Sequence, residues 1–177
     1  MALWRKQVSG SFSGVLTKAG LDYRRLGWSV IPIDARGKRP LVRWQVYQYR
    51  RPNTREIGAW FRRWPNANIA VVTGLISGLV VLDLDPRHGA HASIERLQRQ
   101  HGPWAETVEV LTGGGGRHLY FAHPGELMRN RVGIAPGVDL RGDAGYVVAP
   151  PSIHPSGEPY RWARSPDLFP LAPLPEW

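Results

Sequence analysis

Asp83 and Asp85 end the most apolar stretch of the chain, Gly78-Leu79-Val80-Val81-Leu82-Asp83-Leu84-Asp85-Pro86. Apolar residues at consecutive positions mark a strand buried on both faces. Residues two apart in a strand share a face, so the two carboxylates project together, roughly 6–7 Å apart at about 3.3 Å rise per residue. Like charges side by side on a hydrophobic strand repel and lose hydration. One or two divalent cations remove that cost, and hard oxygen ligands suit magnesium or manganese. The alternative is a strand that has just emerged into a solvated loop, with Pro86 ending it.

A third acid, Asp139, lies within another apolar run, Gly137-Val138-Asp139-Leu140-Arg141-Gly142. Alone it reads equally as a paired or turn-capping carboxylate. Four glycines, 113 to 116, precede Arg117-His118-Leu119-Tyr120-Phe121. Such a loop lets backbone N–H groups approach an anion, and Arg117 and His118 add charge-assisted hydrogen bonds. No Gly-Lys-Ser/Thr follows, so it is not a Walker A loop. A hairpin turn with Arg117 in solvent, and a structural His118, are the alternatives. Taken together, Asp83, Asp85 and Asp139 are the number of acids that two-metal phosphoryl transfer commonly uses. Arg117 and His118 would then hold nucleotide phosphates, with Arg141 two residues past the third acid.

Several elements must position these groups. A helix is expected over about Phe12 to Leu26, stopped by Gly27, then a strand from Trp28 to Ile33 and a basic turn, Asp34-Ala35-Arg36-Gly37-Lys38-Arg39-Pro40. Asn53 and Glu56 form a capping box for a helix that presents Ile57, Trp60, Phe61 and Trp64 on one face and ends at Pro65. Asn68 to Gly74 is a strand leading to the aspartate strand. Ser93 to His101 is a short helix. Strands follow at Thr107–Thr112, Arg117–Ala122, Val138–Arg141 and Gly145–Ala149, with a last edge strand near Tyr160–Trp162. The stretch Pro124 to Pro136 reads as polar loop. Helices early and strands late argue an α+β fold with a mainly antiparallel or mixed sheet.

Composition bounds the partners. Lys and Arg total 23 against 14 Asp and Glu, a net charge of +9 that favours a polyanion. There is no cysteine, which excludes disulfides, thiolate zinc sites and cysteine nucleophiles. No apolar stretch is long enough for a membrane span, and the N-terminus, Met1-Ala2-Leu3-Trp4-Arg5-Lys6, leads into no apolar signal segment. An intracellular, cytoplasmic protein is expected. We read residues 1–165 as one domain, and the Pro-punctuated residues 166–177 as a tail or the start of a linker to further domains. Of the eight tryptophans, Trp60 and Trp64 read as core, and Trp44 beside Arg43 is the one placed to stack on a base.

In order along the chain, these pieces resemble the primase-polymerase (prim-pol) domain of the archaeo-eukaryotic primase superfamily, of the plasmid and phage replication type. Gly37-Lys38-Arg39-Pro40 with Trp44 is similar to its N-terminal basic motif. Asp83-Leu84-Asp85 is similar to its acidic motif, Gly114 to Phe121 to its histidine motif, and Val138 to Gly142 to its single-acid motif. Gly145 to Ser152, with His154, completes the pattern over about Leu26 to Trp162. The zinc-binding insert of some relatives is absent, since there is no cysteine.

The resemblance implies a cleft between a small N-terminal lobe and a catalytic lobe. It implies a DNA-dependent nucleotidyltransferase that makes or extends primers from NTPs or dNTPs in plasmid, phage or other mobile-element replication. By it, Asp83, Asp85 and Asp139 hold two Mg2+ or Mn2+ ions. His118, Arg117, Gly116, Arg141, Ser152 and His154 contact the nucleotide, and Lys38, Arg39 and Trp44 contact single-stranded template or primer–template DNA. A helicase beyond the C-terminus is the expected partner, and no membrane is involved. The alternatives are a non-catalytic single-stranded nucleic-acid-binding module, and an Asp-x-Asp metal-dependent glycosyltransferase or nuclease.

Overall fold

A computed structural model describes residues 12–35 and 37–176. The N-terminal stretch read above, Arg36 of the basic turn and Trp177 lie outside the described residues. Three α-helices are present among them: α1 (Phe12–Arg25), α2 (Thr54–Arg63) and α3 (Ala90–His101). The strands are β1 (Ser29–Ile33), β2 (Asn68–Val72), β3 (Leu79–Leu84), β4 (Val108–Leu111), β5 (Arg117–Ala122), β6 (Arg131–Ala135), β7 (Val138–Arg141), β8 (Tyr146–Ala149), β9 (Arg161–Arg164) and β10 (Ala172–Pro173).

Two sheets form. A three-stranded antiparallel sheet runs β1-β2-β8, and a larger sheet runs β6-β7-β3-β5-β4-β9, with β10 added in parallel to β5. The mixed α+β architecture matches the expectation. Side-chain alternation divides the larger sheet cleanly. Val80, Leu82, Leu84, Leu119, Phe121, Val138 and Leu140 face α3 and form one core cluster. Val81, Val108, Val110 and Tyr120 face the other way and join the three-stranded sheet, α1 and α2 in a second cluster.

The capping box is observed. Asn53 Oδ1 accepts from Glu56 N at 2.9 Å, and Asn53 N donates to Glu56 Oε2 at 2.8 Å. Gly20 lets α1 lie close on α2, because a Cβ there would come within 2.8 Å of Ile57 Cγ2.

Three details differ from the sequence expectation. α3 starts at Ala90 rather than Ser93. The polar stretch contains β6, a mostly exposed edge strand. Residues 166–177, expected as a tail, carry β10. The Ala172 amide donates to Thr107 Oγ1, Ala172 is buried, and Leu174 packs on the α3-side core. Strands β7 and β8, which flank the Gly142-Asp143 turn, belong to different sheets, so the chain crosses between sheets at that turn. Among the described residues no helix is long and apolar enough to cross a membrane.

Candidate active site

The centre of the larger sheet brings the site together through register. Asp83 on β3 lies opposite His118 on β5 and opposite Asp139 on β7. All three side chains share the face turned toward the three-stranded sheet. Arg141, two residues on from Asp139, shares that face. Its guanidinium NH2 lies 2.9 Å from Asp139 Oδ2 and 3.4 Å from Asp83 Oδ2. Two carboxylates from adjacent strands thus converge on one cationic nitrogen. Asp139 Oδ1 also accepts from the Gly133 amide at 2.8 Å.

His118 is 6% exposed, and its Nε2 stands 3.5 Å from Asp83 Oδ1. Its Nδ1 is buried without a hydrogen-bond partner among the described residues. Burial pushes the imidazole pKa down to about 4. Asp83 opposes that shift, while Lys38 and Arg141 add to it. At neutral pH the ring facing the acids is uncharged. Beneath it, Tyr120 and Tyr160 stand with ring centroids 6.5 and 6.1 Å away.

Asp85 follows the end of β3 in extended backbone and caps the short 3-10 turn Pro86–His88. Its Oδ1 accepts from the Arg87 amide and Nε, its Oδ2 from Arg87 NH2, and His88 Nδ1 lies 2.9 Å from Oδ2. The Arg87 contacts hold its carboxyl far below the usual carboxylate range. Among the described residues no three acid or imidazole groups form a ready-made metal cage. Each acid is matched to a cationic side chain instead: Asp83 and Asp139 share Arg141, and Asp85 takes Arg87. Carboxylate oxygens brought together on one shared positive charge, as those of Asp83 and Asp139 are, fit a divalent cation in its place. Asp83 and Asp139 are the pair that converges, whereas Asp85 is engaged by Arg87 and His88.

A cavity of about 260 Å³ opens over this cluster, between the two sheets. Asp83, His118 and Arg141 line one side, Tyr146, Val147 and Val148 of β8 the other, with Lys38 and Tyr160 at its margin. Tyr146 is braced there. Its hydroxyl donates to the Lys38 carbonyl at 3.1 Å, and Trp44 meets its ring edge-to-face at 4.9 Å. Trp44 is half-buried against the core, so it supports a cavity wall rather than standing free as a stacking platform. Lys38 and Arg39 are exposed on the turn after β1. His154 sits farther out, half-buried. Its Nδ1 accepts from the Ser156 amide at 3.1 Å, and burial lowers its pKa, as do Lys38 and Arg87.

Three residues expected at the nucleotide are placed elsewhere. Arg117 precedes His118 in β5 and therefore points to the opposite face. There it pairs with Glu109, a buried acid that also binds Arg164. Gly116 donates its amide to Thr112 Oγ1, and a Cβ there would come 2.6 Å from the Leu84 carbonyl. Close strand approach explains this glycine, and its N–H is already used.

Ser152 is fully buried. Its hydroxyl donates to the Ile69 carbonyl and accepts from the Ile69 amide, both at 3.0 Å, locking the end of β8 to β2. Ser152→Ala is expected to cost about 1–3 kcal/mol of folding stability with the nucleotide KM unchanged. Urea unfolding beside steady-state kinetics checks this. A raised KM at intact stability would return Ser152 to the nucleotide.

The sequence reading passed over Asn130, Tyr160 and Gly133. Asn130 lies in the polar stretch, where nothing distinguishes it from loop. Here it accepts from the Gly142 amide, donates to the Ala144 carbonyl and so fixes the loop that borders the cavity. Asp143 ties the same loop to its surroundings by accepting from the Leu75 and Met128 amides. Tyr160 was legible only as part of an edge strand.

No curated protein matches the chain significantly. The family model described as the N-terminal domain of bifunctional DNA primase/polymerase matches residues 20–177, a span that takes in both sheets and every strand of the acid cluster. With its cleft between two sheets, its paired acids on adjacent strands and a buried histidine beside them, the chain belongs by this match to the Prim-Pol family.

Proposed function

We propose that the cleft catalyses template-directed nucleotidyl transfer with divalent ions held by Asp83 and Asp139, joined by Asp85. Family membership implies primase/polymerase activity on DNA and nucleotide substrates. The convergence of Asp83 Oδ2 and Asp139 Oδ2 on one cationic nitrogen carries the metal part of the reading. Bound Mg2+ or Mn2+ would lower the pKa of the attacking hydroxyl and offset charge on the leaving pyrophosphate.

The remaining roles belong to the chain itself. Arg141 is the side chain released toward a phosphate when its two acids take another cation. Lys38 supplies fixed positive charge at the margin of the cavity. His118, neutral, offers hydrogen bonding rather than charge. Tyr146, held by Trp44 and the Lys38 carbonyl, forms a rigid wall against which a sugar or base can pack. Arg39, with Lys38, faces solvent where a template strand would run. The family resemblance supports the wider context of plasmid, phage or other mobile-element replication, with a helicase acting alongside.

The test is a gel assay with labelled primer–template and, in parallel, unprimed single-stranded DNA. Each is supplied with dNTPs or NTPs and Mg2+ or Mn2+, with Asp83→Ala/Asp85→Ala as control. Metal-dependent extension absent from the control is expected. Products without primer would make the chain a primase by itself. Degradation of DNA without nucleotides, or binding without synthesis in every condition, would overturn the proposal.

A further inference from the structure

The edge strand β6 buries little of itself, yet it lies beside the strand that carries Asp139. Its pairing with β7 is irregular. Arg131 lies opposite Leu140 and Ala135 opposite Val138, so four steps along β6 span two along β7. The excess forms a bulge, and Gly133 is at its centre. Gly133 adopts φ +65, and a Cβ there would meet nothing within 4 Å. Packing therefore does not require glycine at this position; the left-handed backbone does. In that conformation the Gly133 amide leaves the strand ladder and donates to Asp139 Oδ1 at 2.8 Å. The other oxygen, Oδ2, is the one that meets Arg141 and converges with Asp83. Bulges beside functional sites commonly re-aim a group in this way.

We infer that Gly133 is a positioning residue: its bulged amide clamps Oδ1 of Asp139 so that Oδ2 is presented to the cation shared with Asp83. The inference rests on the reading of Asp139 as a metal ligand. A carboxylate with one oxygen tied to the backbone has lost most of its rotational freedom before a metal arrives. Groups that orient a metal ligand from behind matter to affinity by about 10–100-fold. The bulge also gives a purpose to a strand that buries little of itself.

The test measures Mn2+ binding to the metal-free chain by the electron paramagnetic resonance of free Mn2+, with no DNA or nucleotide present. Primer extension is measured in parallel. Gly133→Val, a β-branched residue that the left-handed region excludes, is expected to weaken Mn2+ binding by about 10–100-fold. Gly133→Asn, which tolerates that region and keeps the amide, is expected to bind within about threefold of the parent. Gly133→Ala, milder than Val, is expected to fall between them and serves if the Val protein does not fold. Added to Asp139→Ala, Gly133→Val should cost nothing further.

Parental Mn2+ affinity in a folded Val or Ala protein, or an Asn protein as weak as the Val one, would overturn the inference while leaving Asp139 as a ligand. Unchanged Mn2+ binding in Asp139→Ala would overturn the ligand reading and the inference with it.

Discussion

Asp83→Asn and Asp139→Asn are each expected to lower primer extension by roughly a thousandfold or more, about 4 kcal/mol of transition-state stabilisation, while the protein still folds. Asparagine keeps the shape of the side chain and one acceptor oxygen, so in Asp139→Asn the bond from the Gly133 amide survives. What is lost is one negative charge at the point where two Oδ2 atoms meet Arg141. In the resting protein that loss is nearly neutral. Arg141 keeps the other acid, the repulsion between the two carboxylates disappears, and all three groups are a quarter to a third exposed. Partly solvated ion pairs of this kind are worth about 1 kcal/mol or less. During transfer the same charge is the counterpart of the divalent cation, and no neighbour replaces it. Asp85, on the proposed reading, already serves as a ligand of its own and so cannot stand in for a second acid, and His118 is neutral. The separation of a large kinetic effect from a small stability effect is the signature to measure, by single-turnover extension beside urea unfolding. Activity within tenfold of the parent, or a loss that tracks global unfolding, would remove these acids from the chemistry.

The larger sheet was legible where strands are buried on both faces. The runs that became β3, β5, β7 and β8 are apolar on consecutive or alternate positions, and their bounds fall within a residue of expectation. The pairing of those strands was not legible. That Asp83 stands between His118 and Asp139 follows from long-range register, which no local pattern encodes. Arg117 shows a different limit. Its place next to His118 suggested a shared role, but adjacent residues in a strand face opposite ways, and Glu109 on the far face takes its charge. The glycine run drew attention to anion binding, whereas close backbone approach explains Gly116 and the packing of Gly113 under the Glu158 carbonyl. Ser152 carries a hydroxyl within a motif associated with nucleotides. Only the three-dimensional structure reveals that both hydrogen-bonding functions are spent on Ile69. The strand β6 was missed because its two large apolar residues, Val132 and Ile134, flank a glycine in a short, exposed and otherwise polar stretch.

Metal-free protein is expected to lose folding stability as pH falls from about 6.5 to about 4, and the share due to His118 should vanish in His118→Leu. The folded ring has its pKa pushed down to about 4 by burial, whereas an unfolded histidine titrates near 6.5. Between those values the unfolded chain binds a proton that the folded chain refuses, so stability rises with pH there and falls on acidification. Asp83 and the Val148 backbone favour the charged ring; Lys38 and Arg141 oppose it, and Tyr120 and Tyr160 add no charge. The full span corresponds to about 3 kcal/mol. Leucine removes the titration while introducing a constant packing offset, so the quantity of interest is the difference between the two proteins across pH. His154, whose pKa is also lowered, contributes to both proteins and cancels. Urea unfolding in chelator at pH 7, 6, 5 and 4 measures that difference. Leucine should gain on the parent steadily below pH 6.5; parallel curves would mean that folding leaves the His118 pKa unshifted, and a parent that gains on leucine would mean that the fold holds the ring charged. The outcome bears on chemistry as well as stability. On the proposed reading, a ring that stays neutral at working pH would leave Lys38 and Arg141 as the charges facing a nucleotide in the cavity. His118 would then act there through a hydrogen bond rather than through charge, a role that glutamine can imitate in part.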